Sequence, residues 1–122
     1  MRFNQRMVAI VDDERRVLES LQNLLESAGY QVLLFDSARV MLVEAKLEEV
    51  DCVISDIHMA PINGRELLVT LQGRAPALPV ILITGRESAE SSAELHALGA
   101  RFFFRKPLQS RALLDAIASC VV

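Results

Sequence analysis

Four short apolar runs in this chain each end on a charged or hydroxyl-bearing residue. Val8-Ala9-Ile10-Val11 leads into Asp12-Asp13, and Cys52-Val53-Ile54-Ser55 leads into Asp56. Val80-Ile81-Leu82-Ile83 reaches Thr84, and Phe102-Phe103-Phe104-Arg105 reaches Lys106-Pro107. If these runs are parallel strands of one sheet, three carboxylates, a hydroxyl and an ammonium meet along one edge. Singly, each residue has an ordinary explanation. Asp12 or Asp13 could cap a following helix, Asp56 and Thr84 could be turn residues, and Lys106 could be a solvated surface lysine. Their shared position at strand ends is what argues for a site.

Three carboxylates brought together repel one another by roughly 4 kcal/mol per pair at about 4 Å and an effective dielectric near 20. A hard divalent cation with oxygen ligands, Mg²⁺ above all, neutralises them and leaves coordination positions open for phosphate oxygens. A carboxylate beside such an ion is a competent nucleophile toward phosphorus. The transferred group needs positive charge and donors around it, because phosphoryl transfer is catalysed mainly by positioning and electrostatics. Lys106 supplies a compact charge on a long stem, and Thr84 a hydroxyl that can donate to a phosphoryl oxygen.

The elements that must position these groups alternate between two periods. Apolar runs of four or five residues alternate with longer stretches of helical spacing. Residues 15–28 are the clearest helix, with Val17, Leu18, Leu21, Leu24, Leu25 and Ala28 on one face and Gly29 as a stop. Strands are predicted at 31–35, 51–55, 79–83 and 101–105 besides the first run. Further helices are predicted at 37–48, with Asp36 or Ser37 as cap, and at 65–72, 88–98 and 109–120. Five strands alternating with five helices imply an α/β fold with a parallel, doubly wound sheet covered on both faces. In such sheets ligands bind beyond the carboxyl ends of the strands, where the candidate residues lie.

At 122 residues the chain reads as one domain spanning 1–122, since domains most often fall near ~100–150 residues. The 52% apolar content leaves ample core material, and the net charge of −3 comes with no basic block, so composition gives no support for a nucleic-acid-binding face. Cys52 and Cys120 are too few and too far apart in sequence for a disulfide framework or a zinc site, and read as free thiols. No apolar stretch approaches the ~20 residues that span a bilayer. The N-terminus also lacks the apolar core of a signal peptide. The expectation is a soluble, cytoplasmic protein.

Over essentially its whole length the chain resembles the receiver domains of bacterial two-component response regulators. The matching residues are Val11-Asp12-Asp13-Glu14, Asp56-Ile57-His58-Met59 followed by Gly64, Thr84-Gly85, Gly99-Ala100 and Lys106-Pro107. The intervals from Asp56 to Thr84 and from Thr84 to Lys106 fit the subgroup that often precedes LuxR-type DNA-binding domains. The resemblance implies a flavodoxin-like sheet of order 2-1-3-4-5 and transcription regulation as the output. It makes Asp56 the phosphoacceptor, with Mg²⁺ held by Asp13 directly, by Asp12 largely through water, by Asp56 and by the His58 backbone carbonyl. Thr84 and Lys106 would contact the phosphoryl group, and the Lys106-Pro107 bond would be cis, which proline permits at low cost. Phe103 would be the aromatic that changes rotamer on activation, and His58 and Arg86 would flank the path of attacking water and tune phosphoryl lifetime.

The implied partners are a sensor histidine kinase or phosphotransfer protein, with homodimerisation through the face formed by the fourth helix, fifth strand and last helix. No direct nucleic-acid or membrane contact is implied. Such a domain is not a conventional enzyme, since it catalyses only its own phosphorylation and dephosphorylation. Phosphorylation adds roughly −1.5 to −2 charges, which can draw Thr84 inward and open space for Phe103. Two departures stand out. Ala60 occupies the family's usual proline position, with Pro61 one place later, and Phe103 lacks the hydroxyl of a tyrosine. Three rival readings are weaker. A Mg²⁺-dependent aspartyl-phosphate phosphatase of the haloacid dehalogenase kind needs Asp-x-Asp after the first strand. A nucleotide- or flavin-binding domain needs a Gly- or Ser/Thr-rich loop there. A pseudo-receiver interaction module would lack the phosphoacceptor, an acid or the lysine.

Overall fold

A computed structural model describes residues 5–85 and 90–121. The elements run β1 (Met7–Val11), α1 (Arg15–Ser27), β2 (Gln31–Phe35), α2 (Ala38–Glu44), a single 3₁₀ turn (Leu47–Glu49), β3 (Cys52–Asp56), α3 (Gly64–Arg74), β4 (Val80–Thr84), α4 (Ser92–Ala97), β5 (Phe102–Arg105) and α5 (Ser110–Cys120). All strand pairings are parallel. Their order is β2-β1-β3-β4-β5, the doubly wound order expected. Among the described residues no helix is long and apolar enough to cross a membrane.

The alternation of side chains along each strand divides the core into two layers. Val8, Ile10, Cys52, Ile54, Ile81 and Ile83 face α1 and α5, where Leu18, Leu21, Leu25, Leu113 and Ile117 cover them. Ala9, Val11, Val53, Val80 and Leu82 face the other way, against Met41, Leu67, Leu68, Leu71 and Leu95 of α2, α3 and α4. Burial on both faces is why β1, β3 and β4 read as unbroken apolar runs. β2, on the edge, begins with an exposed Gln31.

Helix boundaries follow local chemistry. Gly29 ends α1 with φ +96°, a left-handed conformation that costs glycine little. Ser37 caps α2, its Oγ accepting from Val40 N–H at 3.1 Å. The helix predicted through residue 48 stops at Glu44, because Ala45 turns to extended backbone. The chain then folds a 3₁₀ turn that buries Val50 and delivers Asp51 to Met7. Helix α3 opens on a capping box, Asn63 accepting from Glu66 N–H and Glu66 from Asn63 N–H, both at 2.9 Å. It continues past the predicted end to Arg74. Helix α4 begins later than predicted because Ser91 is its extended cap; the predicted start at Ser88 lies outside the described residues.

Candidate functional site

Each candidate side chain stands at the carboxyl end of a strand. Asp56 is the last residue of β3 and Thr84 the last of β4, while Asp12-Asp13 follow β1 and Lys106 follows β5. The fold therefore brings together every strand-end residue that the sequence singled out. One carboxylate oxygen from each of Asp12, Asp13 and Asp56 lies within 4.8 Å of the other two. Asp12 is 1% exposed and Asp56 5%, whereas Asp13 is open to solvent.

Neither Asp12 nor Asp13 caps α1. The cap is Glu14, whose own side chain makes no capping hydrogen bond. Asp12 Oδ1 instead accepts from Glu14 N–H at 2.9 Å, which turns Oδ2 inward. That oxygen is buried and has no hydrogen-bond partner among the described residues. Lys106 Nζ lies 3.7 Å from it and 3.6 Å from Glu14 Oε1. Lys106 is held by its own backbone N–H, which donates to Thr84 O at 2.8 Å. The Lys106-Pro107 peptide is cis, as expected.

Burial raises the Asp12 carboxyl from its ordinary 3.8 to about 6. The Glu14 N–H opposes that rise, the Asp56 charge adds to it and Lys106 counters it. Burial raises Asp56 as well, against the pull of Lys106 and of the His58 backbone N–H, with the Asp13 charge pushing upward. Three crowded carboxylates, the two buried ones raised in proton affinity, with one orphaned oxygen suit a hard cation bound through oxygen. The residues present fit such an ion.

Thr84 Oγ1 is also buried without a hydrogen-bond partner among the described residues. Such a hydroxyl costs roughly 1–3 kcal/mol, and a ligand oxygen at this edge would satisfy it. The loop after Asp56 is closed by Gly64, whose N–H donates to Ile57 O at 2.9 Å. A Cβ on Gly64 would stand 2.8 Å from Ile57 Cα and collide with the Asp56 carbonyl, so this approach requires glycine. The Ala60-Pro61 peptide in that loop is cis. The displaced proline leaves the closure on Gly64 intact. His58 is exposed and lines the mouth of the site with Asp13, Asn63, Arg65 and Glu90. Arg86 lies outside the described residues.

Phe103 is half-buried on the layer containing Leu82, its partner in register. Phe102 and Phe104 point to the opposite layer and stack on each other with centroids 6.3 Å apart. By strand alternation, Thr84 and Arg105 share the Phe103 face. The Arg105 guanidinium sits 5.1 Å from the Phe103 ring centroid and donates to Glu90 O. Arg65 Nη1 holds the Glu90 carboxylate at 3.0 Å. Sequence reasoning missed this Arg65–Glu90–Arg105 cluster and the Glu14–Lys106 pair, because the partners are far apart in sequence and carry no motif.

The family model described as "Response regulator receiver domain" matches residues 8–118. The response regulator protein FleR of Pseudomonas aeruginosa is 35% identical over 111 residues, covering 91% of this chain and 24% of FleR. The transcriptional regulatory protein FixJ of Bradyrhizobium diazoefficiens is 32% identical over 114 residues, covering 93% of this chain and 56% of FixJ. This chain thus spans about a quarter to a half of the length of these relatives. A response regulator receiver domain protein from Clostridium thermocellum superposes with a TM-score of 0.85 at 27% identity, covering 95% of this chain and 94% of that one. With the strand order and the acidic strand-end site, these likenesses show that the chain belongs to the response regulator receiver domain family of two-component systems.

Proposed function

We propose that residues 1–122 act as one phosphoacceptor receiver domain, with Asp56 as the nucleophile. The observation that carries this reading is the meeting of Asp12, Asp13 and Asp56 beside Lys106, with Thr84 Oγ1 and Asp12 Oδ2 left without hydrogen-bond partners among the described residues. An Asp56 carboxylate oxygen forms a bond to the phosphorus of a phosphohistidine donor, and the phosphorus–nitrogen bond breaks, its electron pair staying on the imidazole. Lys106 and Thr84 take the phosphoryl oxygens as charge builds there. Mg²⁺, held by Asp12, Asp13, Asp56 and the His58 backbone carbonyl, would supply neutralising charge for the acids and the incoming group. Asp12 and Asp13 then serve to hold that charge, not to react.

The incoming charge biases a two-state equilibrium by no more than its differential affinity for the two states. Thr84 moving toward the phosphoryl group vacates space on the face it shares with Phe103, and Phe103 turns into it. The outer surface of α4, β5 and α5 changes with it. That surface is where a second copy would dimerise, and a sensor histidine kinase or phosphotransfer protein is the donor. His58 and Arg86 tune hydrolysis by flanking the water path. Catalysis is confined to the domain's own phosphorylation and dephosphorylation. Its output is control of transcription through whatever it is joined to or binds. The domain works in the cytoplasm and touches no nucleic acid directly.

The test is incubation with Mg²⁺ and acetyl phosphate followed by intact-mass measurement. Wild type is expected to gain one phosphoryl group and Asp56→Asn none. An adduct in both, or in neither, would count against the assignment.

A further inference from the structure

The amino ends of the strands, opposite the acidic site, hold a second reactive arrangement. Cys52 is the first residue of β3 and is fully buried, whereas Cys120 ends α5 and is half-buried. Far apart in sequence, the two residues pack into the same core layer, close enough that each thiol perturbs the other's proton affinity. Cys120 also lines an open cavity of about 430 Å³ together with Arg6, Asp51, Pro79 and Val121. One thiol of the pair is thus reachable by a small solute, and the other lies sealed behind it.

We propose that Cys52 and Cys120 form a redox-active dithiol, closed by a hydroperoxide into an intramolecular disulfide that ties β3 to the end of α5. Nucleophilic thiols need a stabilised thiolate and access. Cys120 has both. Its interaction with Cys52, the nearby Arg101 charge and a hydrogen bond to Ser119 bring its thiol from 9.0 down to about 7. Cys52 moves the opposite way, raised by its neighbour and by burial, so it stays a thiol. Burial of Cys52 and the cavity at Cys120 assign the order of events. The Cys120 thiolate attacks the outer oxygen of the hydroperoxide; the O–O bond breaks, an alcohol or water leaves, and Cys120 becomes a sulfenic acid. The Cys52 sulfur then attacks the Cys120 sulfur, the S–O bond breaks, and the Cys52 proton leaves with the hydroxide as water. In sum, two thiols and one hydroperoxide give one disulfide, one alcohol (water from hydrogen peroxide) and one water.

β3 would then carry a thiol switch at one end and the proposed phosphoacceptor at the other. Oxidation would fix the end of α5 against the strand that presents Asp56.

The experiment treats the reduced, folded wild-type domain with dilute hydrogen peroxide, then alkylates free thiols and maps peptides without reduction. The expected result is a loss of two hydrogens from the intact mass, one cross-linked peptide joining Cys52 to Cys120, and full reversal by dithiothreitol. Asp56→Asn should behave identically, since the chemistry does not involve the acidic site. In Cys52→Ala, dimedone should label Cys120, and in Cys120→Ala the buried Cys52 should stay unmodified. The proposal is overturned if both thiols of the folded wild type still alkylate fully after peroxide, or if only intermolecular disulfides form. Oxidation of Cys52 in Cys120→Ala as fast as in wild type would overturn it too. The wild-type peptide map decides the matter even if a variant folds poorly.

Discussion

Lys106 Nζ lies 3.7 Å from Asp12 Oδ2, so the ammonium is the counter-ion of the buried acid. In the proposed site a divalent cation would compete with Lys106 for that oxygen, while a phosphoryl group would recruit the same ammonium. The two roles separate in Lys106→Met, which keeps the stem and removes the charge. Mg²⁺ is expected to bind a few-fold more tightly, since a competing charge a few ångströms away is gone. Phosphorylation by acetyl phosphate should nonetheless slow on the order of 100-fold, the usual cost of deleting one donor to a developing oxyanion. Titration of Mg²⁺ and single-turnover phosphorylation would read the two effects. Weaker Mg²⁺ binding would show that the lysine organises the acids instead of competing for them.

Burial raises the proton affinity of Asp56 and Asp12; the Asp13 charge adds to the rise at Asp56, and the Asp56 charge to that at Asp12. Asp56→Asn removes one of those charges at nearly constant shape. The metal-free domain is therefore expected to gain stability, by about 1 kcal/mol, even though the proposed phosphoacceptor is lost. Saturating Mg²⁺ should shrink or reverse the difference, because wild type then has its repulsion neutralised. Urea unfolding with and without Mg²⁺ measures both. A metal-free Asp56→Asn less stable than wild type would mean that the His58 hydrogen bond outweighs the repulsion.

The strand ends were legible in the sequence because doubly buried parallel strands leave apolar runs whose last residues cannot hide. β1, β3 and β4 each deliver their candidate at or just beyond the predicted end, and Phe103 points away from Phe102 and Phe104 as alternation requires. The ends of α2 and α4 were less legible. A helical apolar spacing continues through residue 48, but the need to bring Asp51 alongside Met7 bends the chain at Ala45. Contacts between residues distant in sequence left no trace. Nothing local in Arg65, Glu90 or Arg105 marks their cluster, and Cys52 and Cys120 read as unrelated thiols until the fold packed them into the same core layer.

Thr84 Oγ1 is buried and without a hydrogen-bond partner among the described residues, so the hydroxyl burdens the unphosphorylated domain. Thr84→Val preserves the branched shape in the centre of the sheet and deletes the hydroxyl. Stability of the unphosphorylated protein should rise by about 1 kcal/mol. The same variant should still take a phosphoryl group on Asp56, but with a weakened response at Phe103, seen in the phosphorylation-dependent NMR shifts of its ring. Full transmission to Phe103 in Thr84→Val would remove the hydroxyl from the coupling.

The raised Asp12 pKa fixes the direction of a pH effect on folding. Folded Asp12 holds its proton up to about 6, while an unfolded carboxyl releases it near 3.8. The native state therefore binds the proton more tightly, and the stability linked to it is fully present below 3.8 and lost as pH rises through 6. Between pH 5 and 7.5 the metal-free domain should lose about 1 kcal/mol from this group, with Asp56, also raised, contributing in the same direction. Asp12→Asn should flatten the dependence. Mg²⁺ should restore stability more at pH 7.5 than at pH 5, where the acids still carry protons that a cation must displace. Urea unfolding of wild type and Asp12→Asn across this range separates Asp12 from other titrating groups. Parallel curves for the two proteins would mean that the buried acid is not the source of the slope.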